Sequence, residues 1–232
     1  MPAEKIGVAS SAAANPTATA TIKINEIFVS IQGESTRAGH PCVFLRTTGC
    51  PLRCDWCDTE YAFHEGETWT VDDLVQEACR HGIPLVEITG GEPLAQAAVP
   101  ELARALLARG LTVLVETSGS HDISVLPPGV ARIMDLKCPG SGEAGRNDYD
   151  NIARLRDGDE VKFVLADRDD YEWARDRVAE YDLMGRLPVL FSPVWERLQP
   201  AVLAAWLVED RLDVTLQLQL HKLLWPGVER GV

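Results

Sequence analysis

From Ile22 to the end of the chain, short apolar runs alternate with longer amphipathic stretches, and this alternation constrains the fold more than any other feature. The apolar runs predict strands at Asn25–Ser30, Val43–Thr47, Leu85–Thr89, Leu111–Glu116, Arg132–Leu136, Glu160–Leu165, Pro188–Phe191 and Val214–Leu220. The amphipathic stretches predict helices at Val71–Arg80, Pro100–Arg109, Asp170–Tyr181 and Pro200–Val208. In the first, Thr70 is placed to cap the start, Val71, Leu74, Val75 and Ala78 share a stripe, and Gly82 follows the end. Strands that alternate with helices pair in parallel, which implies an α/β architecture. A full eight-unit barrel takes about 250 residues. Some 210 of the 232 residues remain after the leader described next, so an incomplete barrel fits better. Functional groups then gather at the carboxyl edge of the strands.

Residues 1–22 are rich in Ala, Ser and Thr and lack a basic start followed by an apolar core. They are read as a disordered leader ahead of one domain over residues 23–232, with no secretory signal. The expected compartment is therefore the reducing cytoplasm. No apolar run reaches the ~18–20 residues that cross a bilayer, so no membrane span is expected. With 22 Lys and Arg against 35 Asp and Glu, the net charge of −13 argues against direct binding to nucleic acid.

Three of the six cysteines, Cys50, Cys54 and Cys57, fall within eight residues, directly after a predicted strand. Three thiolates so close suit a 4Fe-4S cluster, leaving one iron for another ligand. Zinc is the alternative, but a structural zinc site closes four ligands, usually from two separated pairs. Only His64 offers itself as a fourth, and there is no second Cys-x2-Cys pair. Cys42, Cys79 and Cys138 read as small buried hydrophobes.

Cys50-x3-Cys54-x2-Cys57, with Trp56 before the last cysteine, resembles the signature of the radical S-adenosylmethionine enzymes. Thr89-Gly90-Gly91-Glu92-Pro93 resembles the Gly-Gly-Glu-Pro motif of the same superfamily. Gln32-Gly33-Glu34, the Cys57-Asp58-Thr59 ending, Glu116-Thr117-Ser118-Gly119 and Gln219-Leu220-His221-Lys222 extend the resemblance to the 7-carboxy-7-deazaguanine synthase family. The resemblance implies a partial TIM-type barrel of the radical S-adenosylmethionine type. It also implies conversion of 6-carboxy-5,6,7,8-tetrahydropterin to 7-carboxy-7-deazaguanine and ammonia, on the route to queuosine and other deazapurines.

By the same resemblance, Cys50, Cys54 and Cys57 hold the cluster and Thr59 binds Mg²⁺. Trp56, Cys57, Asp58, Gly91, Lys137 and Ser192 meet S-adenosylmethionine. Ile31, Gln32, Gly33, Glu34, Arg46, Thr89 and His221 meet the pterin, and no side chain acts as acid or base. A flavodoxin or ferredoxin as electron donor and a homodimer are also implied. Ser35 departs from the Gly common after Gln-Gly-Glu, and the tail from Leu223 to Val232 is longer than in members that end soon after His-Lys. The alternatives are a glycyl-radical-enzyme activase, which Gln-Gly-Glu and Cys-Asp-Thr disfavour, and a non-catalytic zinc-binding protein.

Overall fold

The computed structural model describes residues 20–232. The expected leader over 1–22 therefore lies, apart from its last three residues, outside the described residues. Those last residues enter the fold, because the first strand, β1 (Thr21–Ile31), begins at Thr21 and buries Ile22.

Nine strands form one sheet. After β1 come β2 (Pro41–Thr47), β3 (Glu67–Thr70), β4 (Leu85–Gly90), β5 (Thr112–Thr117), β6 (Ala131–Asp135), β7 (Glu160–Leu165), β8 (Val189–Pro193) and β9 (Thr215–Leu216). Their order is β3-β1-β2-β4-β5-β6-β7-β8-β9. From β2 to β9 every neighbour is parallel. The edge strands β3 and β9 do not pair, which leaves the barrel open.

Parallel pairing fails at the start of the chain. β1 runs antiparallel to both β2 and β3, because residues 32–40 contain no crossover helix and antiparallel strands need only a short return. β3 itself escapes the apolar pattern, since Glu67-Thr68-Trp69-Thr70 carries one large apolar side chain.

The helices follow the predicted pattern closely. They are α1 (Val71–Arg80), α2 (Val99–Ala108), α3 (Asp150–Arg154), α4 (Arg168–Glu180), α5 (Pro200–Asp210) and α6 (Leu220–Leu224). The Thr70 hydroxyl accepts the Asp73 N–H at 3.1 Å as the α1 cap. α3 and α6 are five residues each, too short to show helical periodicity. The predicted strand Val214–Leu220 shrinks to β9 because the chain turns after Gln217, whose N–H reaches Phe191 O at 2.8 Å. His221 thus sits in a helical turn, not at a strand end.

Helices pack on the convex face of the sheet. Val71, Leu74, Val75, Leu102 and Leu106 meet Val43, Leu45, Val86, Ile88 and Val115 in one cluster, and Tyr171, Ala174, Val178, Leu203 and Leu207 meet Phe163, Leu165 and Phe191 in another. Each Val, Leu, Ile or Phe among them, fully buried, contributes roughly 1.5–3 kcal/mol. Because strand side chains alternate between faces, the residues between them point to the concave side. There a small apolar patch of Cys42, Phe44, Leu85, Leu114 and Ile133 fills one level. One step further along the strands, Arg46, Glu87, Glu116 and Lys162 replace it.

Candidate active site

The concave face opens into a cavity of about 700 Å³. The end of β2 continues through Thr48 and Gly49 into the cysteine loop, and Cys50, Cys54 and Cys57 all line the cavity. The loop is tied on several sides. Asp55 N–H donates to Ser141 O at 3.0 Å, Arg53 N–H to the Glu143 carboxylate at 2.6 Å, and Gly49 N–H to Ala62 O at 2.8 Å.

The Gly-Gly-Glu-Pro segment locks onto the root of this loop, where Glu92 N–H donates to Gly49 O at 2.8 Å. A Cβ on Gly91 would lie 2.0 Å from Gly49 O, so only glycine permits the approach. The fully buried Glu92 carboxylate points away from the cavity. It accepts Leu94 N–H at 2.8 Å, the Thr117 hydroxyl at 2.9 Å, Ser118 N–H at 2.7 Å and the Ser118 hydroxyl at 2.5 Å. Glu92 thus fixes the turn after β5 and needs no ligand to satisfy it.

The cysteine thiols fit a cluster. All six cysteines are free, and the three of the loop are half-buried. Burial pushes the thiols up, Cys54 to about 11, while the nearby Lys137 ammonium pulls the other way. Bound iron deprotonates such a thiol outright. Among the described residues no three His, Cys, Asp or Glu side chains converge on one point to hold a single ion. His64 does not line the cavity. Three cysteines of one loop on the cavity wall, with no fourth protein ligand beside them among the described residues, suit a cluster with one open iron better than a closed tetrahedral zinc. Of the remaining cysteines, Cys42 and Cys138 are buried as expected, whereas Cys79 is half-buried on the rim of α1.

Opposite the cysteines, the turn after β1 meets α6. Leu220 N–H donates to Gly33 O at 3.0 Å, and a Cβ on Gly33 would lie 2.6 Å from His221 Nδ1. The Gln219 amide donates to Glu34 Oε1 at 3.0 Å. Ser35 takes φ +63°, the left-handed region that favours glycine, and its hydroxyl accepts Arg37 N–H at 3.0 Å. The serine therefore keeps the turn that glycine would make, at a strain of about 1 kcal/mol.

Arg46 projects from β2, its Nε donating to Glu26 at 2.8 Å and its guanidinium lying 5.6 Å from the Phe28 ring and 5.9 Å from the Tyr61 ring. Lys222 Nζ donates to Asp58 at 2.7 Å, and the Thr59 hydroxyl donates to the other Asp58 oxygen at 2.9 Å. Although burial opposes ionisation, Lys222 holds the Asp58 carboxyl well below its ordinary value. This pairing of hydroxyl and carboxylate oxygens on the cavity wall suits Mg²⁺, a hard ion that takes oxygen ligands.

Every residue assigned from sequence to the cysteine, cofactor and substrate sets lines this one cavity, except Ser192. Ser192 lies on β8 beside Val164 and is 1% exposed, so the structure does not bring it to the wall. Among the lining residues that the sequence does not single out as site residues, three besides Asp135 stand out. They are Glu87 on β4, Glu116 on β5 and Lys162 on β7, all charged and all at inward positions of parallel strands. Lys162 Nζ donates to Glu34 Oε2 at 2.9 Å and to Glu116. Burial opposes its charge, yet the two carboxylates keep the ammonium well above its ordinary value.

Comparison with known proteins agrees with this architecture. The description Radical SAM superfamily matches residues 44–136, from β2 through the cysteine loop to the end of β6. The 7-carboxy-7-deazaguanine synthase of Koribacter versatilis (strain Ellin345) is 43% identical over 229 residues, covering 91% of this chain and 100% of the relative. That of Chlorobaculum tepidum is 42% identical, covering 92% and 98%. The crystal structure of QueE from Escherichia coli has the same fold, with a TM-score of 0.67 at 23% identity, over 86% of this chain and 94% of that one. Streptococcus suis SuiB bound to S-adenosylmethionine shares it more distantly, at a TM-score of 0.54 and 12% identity over 80% and 52% of the two chains. A chain with a radical S-adenosylmethionine domain that is 42–43% identical to two 7-carboxy-7-deazaguanine synthases over more than nine-tenths of its length belongs to the 7-carboxy-7-deazaguanine synthase family.

Proposed function

We propose that the protein converts 6-carboxy-5,6,7,8-tetrahydropterin to 7-carboxy-7-deazaguanine with release of ammonia. The observation that carries this reading is convergence. The Gln32-Gly33-Glu34 turn, the Cys50–Cys57 loop, Gly91 and His221 come from four distant parts of the chain and face one cavity. Two backbone hydrogen bonds, Glu92 N–H to Gly49 O and Leu220 N–H to Gly33 O, hold them together in pairs.

Cys50, Cys54 and Cys57 would hold the 4Fe-4S cluster, and Trp56, Asp58, Gly91 and Lys137 would border S-adenosylmethionine beside it. When bound and reduced by a one-electron donor, these groups supply a 5′-deoxyadenosyl radical. The chain's own contribution is to place one substrate carbon before that radical and to exclude water. Arg46 suits the substrate carboxylate, since guanidinium N–H groups beyond those given to Glu26 and to Gly90 O remain to donate. Ile31, Gln32, Gly33, Glu34, Thr89 and His221 border the heterocycle. Burial lowers the His221 imidazole below its ordinary value, favouring the neutral ring that both donates and accepts. Thr59 is the residue for Mg²⁺, whose part would be to orient substrate oxygens. Ser192, off the wall, would act only by supporting Val164.

Flavodoxin or ferredoxin as donor and the cytoplasm as compartment complete the proposal, and among the described residues no helix is long and apolar enough to cross a membrane. Association with a second copy is part of the same proposal and rests on the family resemblance. Residues 23–232 are read as one catalytic domain. Anaerobic, cluster-loaded protein given S-adenosylmethionine, reductant, Mg²⁺ and the carboxypterin should form the deazaguanine, identified by mass and absorbance. A cluster-loaded sample that cleaves S-adenosylmethionine yet gives no deazaguanine would overturn the assignment.

A further inference from the structure

The floor of the cavity carries an unbalanced set of charges. Glu34 from the β1–β2 loop, Glu87 from β4 and Glu116 from β5 surround one lysine, Lys162 from β7. Lys162 donates to Glu34 and to Glu116 but not to Glu87. The next cation, Arg46 of β2, is turned to Glu26 at 2.8 Å, and Lys137 is turned to Asp135 at 2.7 Å. Glu87 is 2% exposed, and among the described residues its carboxylate has one hydrogen-bond partner, the Gln32 side-chain amide. Gln32 is thereby pinned at both ends, because its Oε1 accepts Glu34 N–H at 3.0 Å.

We propose that Glu87 is a positioning residue for the pterin, a neutral carboxylic acid under the substrate that fixes the Gln32 side-chain amide in one orientation. Three carboxylates on one cavity floor, with the one ammonium bonded to two of them, leave the third without a counter-charge, and crowded like charges do not all ionise. The groups facing Glu87 agree. Burial, then the Glu116 and Glu34 charges, drive its carboxyl well above the ordinary range, against the weaker pull of Lys162 and Arg46. The Cys42 thiol on β2, also close, is pushed up by burial and stays neutral. A protonated Glu87 spares the cavity floor a third anion beside Glu34 and Glu116. It leaves the second Gln32 N–H and the free Glu116 oxygen to read the donor and acceptor edge of a 2-amino-4-oxo ring. The proposal rests on the reading above that Gln32 meets the pterin.

The test combines a substrate-free signature with kinetics. In the substrate-free holoenzyme at neutral pH, the infrared difference between wild type and Glu87→Gln should contain the carbonyl band of one protonated carboxylic acid. Glu87→Gln, isosteric and neutral, should keep the pterin KM within about twofold, whereas Glu87→Ala, which frees the Gln32 amide, should raise it about tenfold with kcat nearly unchanged. Wild-type KM should climb as pH passes the Glu87 pKa, because the new anion repels Glu34 and Glu116, and Glu87→Gln should lack that limb. Absence of the band, or a Glu87→Gln enzyme as impaired as Glu87→Ala, overturns the proposal. If Glu87→Ala does not fold, the band and the Glu87→Gln pH profile decide alone. A protein that shows the band but never converts the carboxypterin would refute the proposed substrate and leave the protonation of Glu87 standing.

Discussion

At the scale of single residues, similar side chains do opposite work according to where the backbone points them. Glu92 and Glu87 lie five positions apart, both almost wholly buried. Glu92 is surrounded by four donors and serves as a clamp on the turn after β5. Glu87 has one amide and two anionic neighbours, an environment that retains a proton. Glu92→Gln should therefore be damaging despite its conservatism. The amide nitrogen would face a donor wherever it turned, leaving one buried N–H or hydroxyl unsatisfied at about 1–3 kcal/mol. A urea midpoint lowered to match checks this, and an unchanged midpoint would show that the four hydrogen bonds are dispensable. The sequence exposed Glu92 through its motif but assigned it no duty of its own, and its four hydrogen bonds make it a brace. Glu87 and Lys162 passed unnoticed because a lone charge inside a predicted strand belongs to no motif and leaves the apolar pattern intact. The missed clue is that both faces of a helix-covered parallel strand are enclosed, so a charge within one points into a site.

At the scale of elements, the strands and long helices were legible because their periods of 2.0 and 3.6 extend over enough residues to register. The hairpin at β1, the short β3 and the helical turn at α6 were not. Each depends on partners distant in sequence, as when Leu220 N–H finds Gly33 O. The element contact that matters most for chemistry joins the end of β4 to the root of the cysteine loop. Gly91→Ala tests it, because the added Cβ would sit 2.0 Å from Gly49 O and 2.6 Å from Gly49 C, both backbone atoms that cannot rotate away. The loop must shift by more than an ångström, or Glu92 N–H must release Gly49 O. Either displaces Cys50, the residue after Gly49. Iron and sulfide per chain after anaerobic reconstitution should fall to about half or less, while the helical circular dichroism is retained, since the elements of the barrel wall are untouched. Full cluster content in the alanine variant would mean that the loop adapts without loss.

At the scale of the whole molecule, the open barrel leaves a mouth that the chain's own last segment covers. Trp225, Pro226, Val228, Glu229 and Val232 border the cavity, although most of this segment is exposed and contributes little to either core. It is held from the opposite side. The Arg230 guanidinium lies 4.1 Å from the Tyr61 ring centre and 3.2 Å from Glu65, and Tyr61 OH reaches Glu229 O at 3.4 Å. Tyr61 also donates to Glu26, the partner of Arg46, so the tail's anchor is continuous with the proposed carboxylate grip. Exposed ion pairs contribute only about 0–1 kcal/mol each, so the tail should stabilise the closed mouth weakly and the fold hardly at all. Removing Trp225–Val232 should then leave the melting temperature within a few degrees, while admitting water to a site that has to protect a radical. The expected result is a pterin KM raised several-fold and more 5′-deoxyadenosine lost per deazaguanine formed. Arg230→Ala should move both quantities in the same direction by less. A truncated enzyme with wild-type coupling would show that the barrel alone seals the site, and a truncated enzyme that unfolds would show that the tail belongs to the core.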